Sequence, residues 1–171
     1  MKAIKIILGI VTVLVIIFFS TGLIIKETTY QVKVEINKPI DEVFAEFNNQ
    51  ETIKEWMSDM KSFEVLNSKP GIVGNEYKLT FEKEGQTIEM KEKVMAYVPN
   101  KKVTLFIEAD GMLKTDDFNF STENGKTVIS IDVVCKGDSY IISCVFPYMK
   151  GVFSGMDQQF LDNFKAYIEK Q

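Results

Sequence analysis

Three charged residues fall where strand alternation would aim them into an apolar interior. Glu92 shares the face of Met90 and Val94, and Lys114 and Asp116 share the face of Phe118 and Phe120. Side chains two apart on a strand lie on one face. If the strands pair in sequence order, Glu92 and Lys114 are two strands apart, roughly 10 Å at 4.7–4.9 Å per strand. A charged cluster in an apolar cavity would orient one polar end of a ligand. A buried carboxylate there would have a raised pKa and could act as an acid or base. The alternative is a bulge, or a strand end, that turns these charges out to solvent. The expected cavity lining is Trp56, Tyr77, Phe81, Met90, Phe118, Phe120, Met149, Phe153 and Phe160, together with Glu92 and Asp116. Each of the apolar residues is also what a plain core would contain.

Composition removes other chemistries. All 20 basic residues are lysines, and there is neither arginine nor histidine. Without arginine the chain lacks the bidentate fork for phosphate and carboxylate. Without histidine it lacks the usual near-neutral acid/base and the commonest metal ligand. Cys135 and Cys144, nine apart, make no zinc spacing and no C-x-x-C. They are expected as two buried thiols, with one disulfide as the alternative outside the cytoplasm. No metal, no cofactor and no assigned catalytic residue is therefore expected. Three lysines and no acid lie in the first 26 residues, which leaves 17 lysines against 24 acids, a net charge of −7. That balance argues against a nucleic-acid partner.

The elements that must position these residues are readable from their periods. Tyr30, Val32, Val34 and Ile36 alternate with polar residues as a half-buried strand. Pro39 suits the first turn of a short helix carrying Val43, Phe44 and Phe47, and a second short helix carries Ile53 and Trp56. Six strands follow. Their turns are expected at Ser68-Lys69-Pro70-Gly71, Glu84-Gly85, Pro99-Asn100, Asp110-Gly111 and Asn124-Gly125. Ile88, Met90, Val94, Ala96 and Val98 form one inward set. Strands joined by such short turns make an antiparallel meander.

From Tyr140 to Lys170 the period becomes helical. Ile142, Phe146, Met149, Phe153, Met156, Phe160, Phe164 and Ile168 form one apolar stripe, with Lys150, Asp157, Asp162, Lys165 and Glu169 on the opposite side. Pro147 is expected to kink this helix or end an earlier segment.

At the other end, Ile6–Ile25 is an uncharged run of 20 residues behind Lys2 and Lys5. It is long enough to cross a bilayer and long for a signal peptide, though Ser20-Thr21-Gly22 offers a possible cleavage point. The expected division is a membrane anchor over residues 1–26 and one domain over residues 27–171. A single-pass monomer is expected, with its N-terminus cytoplasmic and its domain extracytoplasmic. The lysine counts on the two flanks tie, and the short basic N-terminus is the usual signal-anchor arrangement.

The order of one strand, two short helices, six strands and a long helix resembles the START-like superfamily, often labelled SRPBCC, which includes polyketide cyclase/dehydratase and lipid-transport proteins. The resemblance spans residues 30–171 and rests on INKPIDEVFAEFNN from Ile36, IKEWM around Trp56, PGIVGNEYKL from Pro70, VPNKKVTL from Val98 and FLDNFKAYIEK from Phe160. It implies an α+β helix-grip fold, a seven-stranded antiparallel curved sheet wrapped on a C-terminal helix. It also implies an apolar cavity for a small hydrophobic molecule or lipid, and no shared catalytic residues. Three function classes stay open. They are a membrane-tethered binding or transfer module, a cyclase- or dehydratase-like enzyme using cavity carboxylates, and a protein-interaction module of the chaperone-ATPase-activator type.

Overall fold

The strand Thr28–Ile36 (β1) alternates strictly between buried and exposed residues, because its apolar residues occupy every second position. It lies at one edge of a seven-stranded antiparallel sheet. The other strands are Met60–Asn67 (β2), Glu76–Lys83 (β3), Gln86–Val98 (β4), Lys102–Ala109 (β5), Met112–Glu123 (β6) and Lys126–Gly137 (β7). Their order in the sheet is β1-β7-β6-β5-β4-β3-β2. Strands β2 to β7 form the meander, and β1 closes against its last member. The computed structural model describes residues 2–57, 59–83 and 85–171. Of the expected Glu84-Gly85 turn, Glu84 lies outside these residues, while Gly85 takes a positive φ of 78°, which a side chain would resist.

Two short helices, Ile40–Phe47 (α2) and Ile53–Trp56 (α3), follow β1. Pro39 caps the first, and Val43, Phe44 and Phe47 form its buried face. The long helix Tyr140–Ile168 (α4) lies along the inner face of the sheet beside β1. Phe164, Leu161 and Ile168 pack there with Ile36, Ile129 and Ile131 as the centre of the core. The polar flank of α4 serves the sheet edge. Lys165 Nζ donates to the Glu35 carbonyl at 2.6 Å, Gln158 Nε2 donates to the Lys33 carbonyl at 3.2 Å, and the Asn37 N–H donates to Glu169 at 2.8 Å. These bonds occupy edge groups that would otherwise invite another strand. Lys165 and Glu169 are thus tied to β1 and are not simply solvated.

Helix α4 runs unbroken from Tyr140 to Ile168 with Pro147 inside it, so no earlier segment ends there. Its first half is held from two sides, by the end of β7 and by the N-terminal helix Lys2–Ile24 (α1). A bulge between Val94 and Ala96 shifts the register of β4. Ala96 pairs with Thr104, on the outer face of Asp117, while Tyr97 pairs with Val103 and turns inward. Beyond the bulge, therefore, Ala96 and Val98 leave the inward set. Asp157, expected on the polar side, is not on the solvent side of α4. It follows Phe153 by four residues and precedes Phe160 by three, so it belongs to the inner stripe, and Met156 falls on the exposed flank.

Helix α1 is long and apolar enough to cross a membrane, as a signal sequence also would be. Its last turns pack on the start of α4. Gly22 lies under Cys144, where a Cβ would meet the sulfur at 2.5 Å. Phe19 stacks with Tyr140 and Phe18 with Tyr148. Thr21 and Tyr148 share a hydroxyl hydrogen bond of 2.8 Å. The absence of a side chain at Gly22 is what allows this approach.

Candidate functional site

Facing residues on paired antiparallel strands point to the same side of the sheet. The register therefore places Tyr77, Glu92, Ile107, Lys114, Cys135 and Thr28 in one row across the inner face. The adjacent row runs Val94, Leu105, Asp116, Val133 and Tyr30. Glu92 and Lys114 are two strands apart, and the bulge that could have turned Glu92 outward begins only after Val94.

The two rows end in different chemistry. On the β6 side, Lys114 Nζ donates to Asp116 Oδ2 and to Asp157 Oδ1, each at 2.8 Å. The Tyr30 hydroxyl donates to Asp157 Oδ2 at 2.7 Å. Lys114 is 8% exposed and Asp116 3%, so this ion cluster is shielded from water. Burial pushes the Asp116 carboxyl up to about 6 against the pull of Lys114. Burial opposes charge on Lys114, but Asp116 and Asp157 outweigh it and raise its pKa above the ordinary lysine value. Burial, followed by the charge of Asp157, raises the Tyr30 hydroxyl as well. Cys135, beneath Lys114, is pushed up to about 11 by burial. Its thiol and that of Cys144 are free and buried.

On the β4 side lies a cavity of about 200 Å³. Phe47, Trp56, Tyr77, Leu105, Phe118 and Phe160 are among the residues that line it, as are Asn48, Asn49 and Gln50. Glu92 lines it and is the one charged residue among the described residues that do so. Glu92 is half-buried. Burial pushes its carboxyl up to about 7, with the charge of Asp116 adding to the effect. No hydrogen bond or ion pair reaches Glu92 from the described residues. The Tyr77 hydroxyl, in contrast, accepts from Gln50 Nε2 at 3.1 Å and Asn75 Nδ2 at 3.0 Å. Three buried atoms have no partner among the described residues, Thr28 Oγ1, Trp56 Nε1 and Asp116 Oδ1.

Of the residues expected at this site, the structure brings Trp56, Tyr77, Glu92, Phe118 and Phe160 to the cavity. The others lie elsewhere. Phe81 and Met90 pack in a smaller cluster with Leu79 and Val94. Phe120 is occupied by Phe44 and Phe47, at 4.9 and 5.4 Å between ring centroids. Phe153 packs on Phe146 at 5.1 Å, and Met149 is half-buried on the same half of α4. Asp116 belongs to the ion cluster. Phe47, Tyr97 and Leu105 line the cavity without having been singled out. The helical period had already placed Phe47 on a buried face. Tyr97 was hidden by the bulge.

No family model matches the sequence, and no curated protein does. Solved structures do match in three dimensions. Ara h 8.0201 superposes with a TM-score of 0.70 at 15% identity, over 85% of this chain and 99% of its own. A conserved protein from Geobacillus kaustophilus gives 0.68 at 12% identity, over 84% and 96%. This chain has the helix-grip fold. A third match is the di-domain ARO/CYC StfQ of the steffimycin biosynthetic pathway, with a TM-score of 0.70 at 11% identity. That match covers 85% of this chain and 51% of StfQ. At these identities the likeness is one of fold.

Proposed function

We propose that this chain is a membrane-tethered module that binds or transfers a small apolar molecule in the cavity between the sheet, the α2–α3 segment and Phe160 of α4. The cavity carries the reading: about 200 Å³ of space, lined mostly by aromatic and aliphatic side chains, beside the packed core. Protein interiors are close-packed, and a dry cavity of about 150 Å³ is enough to hold benzene in another protein. The size suits a single ring or a short chain. Burial of its hydrocarbon supplies the affinity, about 0.8 kcal/mol per methylene.

Two observations support the tether. Helix α1 leaves nearly all its apolar side chains exposed, as lipid contact requires. It also packs against a part of α4 whose outer side is apolar too. Ile141, Val145, Tyr148, Val152 and Met156, spaced by four, three, four and four residues, are all exposed. Phe18, Phe19, Tyr140 and Tyr148 group where α1 meets α4, and tyrosine is enriched at membrane interfaces. In this reading residues 1–26 are the anchor, residues 27–171 are the binding domain, and the domain lies outside the cytoplasm.

Trp56 is the only tryptophan and lines the cavity. Titration of the full chain in detergent with a small aromatic hydrocarbon should change its fluorescence saturably, one to one. Leu105→Phe, which fills part of the cavity, should weaken that binding while the unfolding temperature holds. No saturable change in the wild type would sink the reading.

One observation favours a second reading, catalysis by an acid or base. Glu92, with its carboxyl at about 7 in a cavity, has the protonation behaviour of such a group, and StfQ carries the ARO/CYC description. Loss of turnover of an aromatic substrate in Glu92→Gln, with binding retained, would favour that reading.

A further inference from the structure

The polar groups of the two inner rows are unequally provided for. Lys114 donates to Asp116 and Asp157, and its third N–H has no partner among the described residues. Glu92, one strand beyond Ile107, has none of its own. No lysine lines the cavity among the described residues. The cavity thus presents a carboxyl with no protein donor, near a cluster in which two carboxylates share one cation. Polar groups enclosed in apolar surroundings without a partner are costly, so a molecule that satisfies them gains more than its hydrocarbon alone would give.

We propose that the cavity selects molecules whose polar end donates hydrogen bonds, above all a protonated amine on a body the size of a single ring, with Glu92 as the residue that receives that end. This rests on the reading of the cavity as a binding site. An ammonium group brings both the donors and the positive charge that the interior lacks. A hydroxyl brings a donor without the charge. A carboxylate brings neither, and adds a like charge beside Glu92 and Asp116. Preference should therefore run amine, alcohol, carboxylate, the reverse of what a fatty-acid carrier with a basic residue at the head of its cavity would show.

Three probes of one shape test this: 2-phenylethylamine, 2-phenylethanol and 3-phenylpropionate, titrated against the full chain in detergent at pH 8 and read by Trp56 fluorescence. The amine should bind at least about tenfold tighter than the carboxylate, the factor expected of one hydrogen bond to a charged group. The alcohol should fall between them. Glu92→Gln keeps the side-chain shape, removes a half-buried carboxylate that has no partner among the described residues and should fold at least as well as the wild type. In it the three affinities should come within about threefold of one another. In wild-type protein labelled with ¹³C at glutamate, the amine alone should bring the Glu92 carboxyl resonance to its ionised position at pH 6.5. Equal binding of all three probes to the wild type, or a preference that survives Glu92→Gln, overturns the proposal and leaves the cavity a binding site. Absence of binding by all three overturns both.

Discussion

The two halves of α4 obey different rules. From Asp157 to Ile168 the helix has one buried side and one polar side. Phe164 and Leu161 are fully buried, and Lys165, Gln158 and Glu169 reach the edge of β1. From Tyr140 to Met156 both sides are apolar. Cys144 and Phe146 are buried against the sheet end and α1, while Ile141 is 63% and Met156 56% exposed on the other side. Lys150 is the only charged residue in that stretch. A helix that only covers a core needs one apolar stripe. A second stripe calls for a second apolar environment, and the neighbour of this one is the membrane-length helix α1. One helix therefore closes a protein core with its end and, in the proposed reading, meets lipid with its beginning.

The largest effect that would break this comparison lies in the closing half. Phe164→Ala removes a fully buried ring and should destabilise the domain by about 3–5 kcal/mol, measured by denaturant unfolding of the full chain in detergent. A cost below about 1 kcal/mol would show that this half does not seal the core. At the seam between the halves, Lys114→Ala strands Asp116 and Asp157 without their shared cation and should cost about 3 kcal/mol. Asp157→Asn keeps the shape and should cost less. At the α1 contact, Gly22→Leu places a side chain where Cys144 Sγ stands 2.5 Å from a Cβ. It should separate α1 from α4, at a cost of about 1–3 kcal/mol, and make Cys144 reactive to a thiol reagent while Cys135 stays protected. If Cys144 reacts at an unchanged rate, α1 does not rest there.

A smaller effect concerns pH. The Glu92 carboxyl, up from 4.5 to about 7, and that of Asp116, up from 3.8 to about 6, hold their protons longer in the folded chain than in the unfolded one. Across that window the folded state binds more protons, so stability falls as pH rises from about 4 to 7. Glu92→Gln should flatten the slope, raising the unfolding temperature at pH 8 and leaving it unchanged at pH 4. An unchanged slope would mean that Glu92 is not enclosed. The smallest effect is at the outer stripe. Met156→Ser should change unfolding in detergent by no more than about 0.5 kcal/mol, while weakening attachment of the domain to lipid vesicles.

Sequence periods gave the elements where one face was apolar and the other polar. Tyr30 to Ile36 and Phe160 to Ile168 are examples, and the turn residues then fixed the meander. Glu92 was also legible, because alternation from Met90 to Val94 carries it inward. Periods failed where a local feature interrupts them or where a polar residue occupies an apolar stripe. The bulge after Val94 exchanges Ala96 for Tyr97. Asp157 looked solvated because it is charged, yet its spacing from Phe153 and Phe160 is that of the inner stripe, and Lys114 and Tyr30 await it there. Which aromatic rings meet one another and which leave a gap depends on pairings between distant elements. Phe120 filled by α2 and Phe118 open to the cavity are indistinguishable by spacing.

Native mass spectrometry of the full chain, purified in detergent from its own host and released in the gas phase, tests the central claim most directly. The account predicts one small apolar molecule bound per chain, displaced by the Leu105→Phe substitution that fills part of the cavity. A chain that flies bare in the wild type, with the same mass profile in Leu105→Phe, would contradict it.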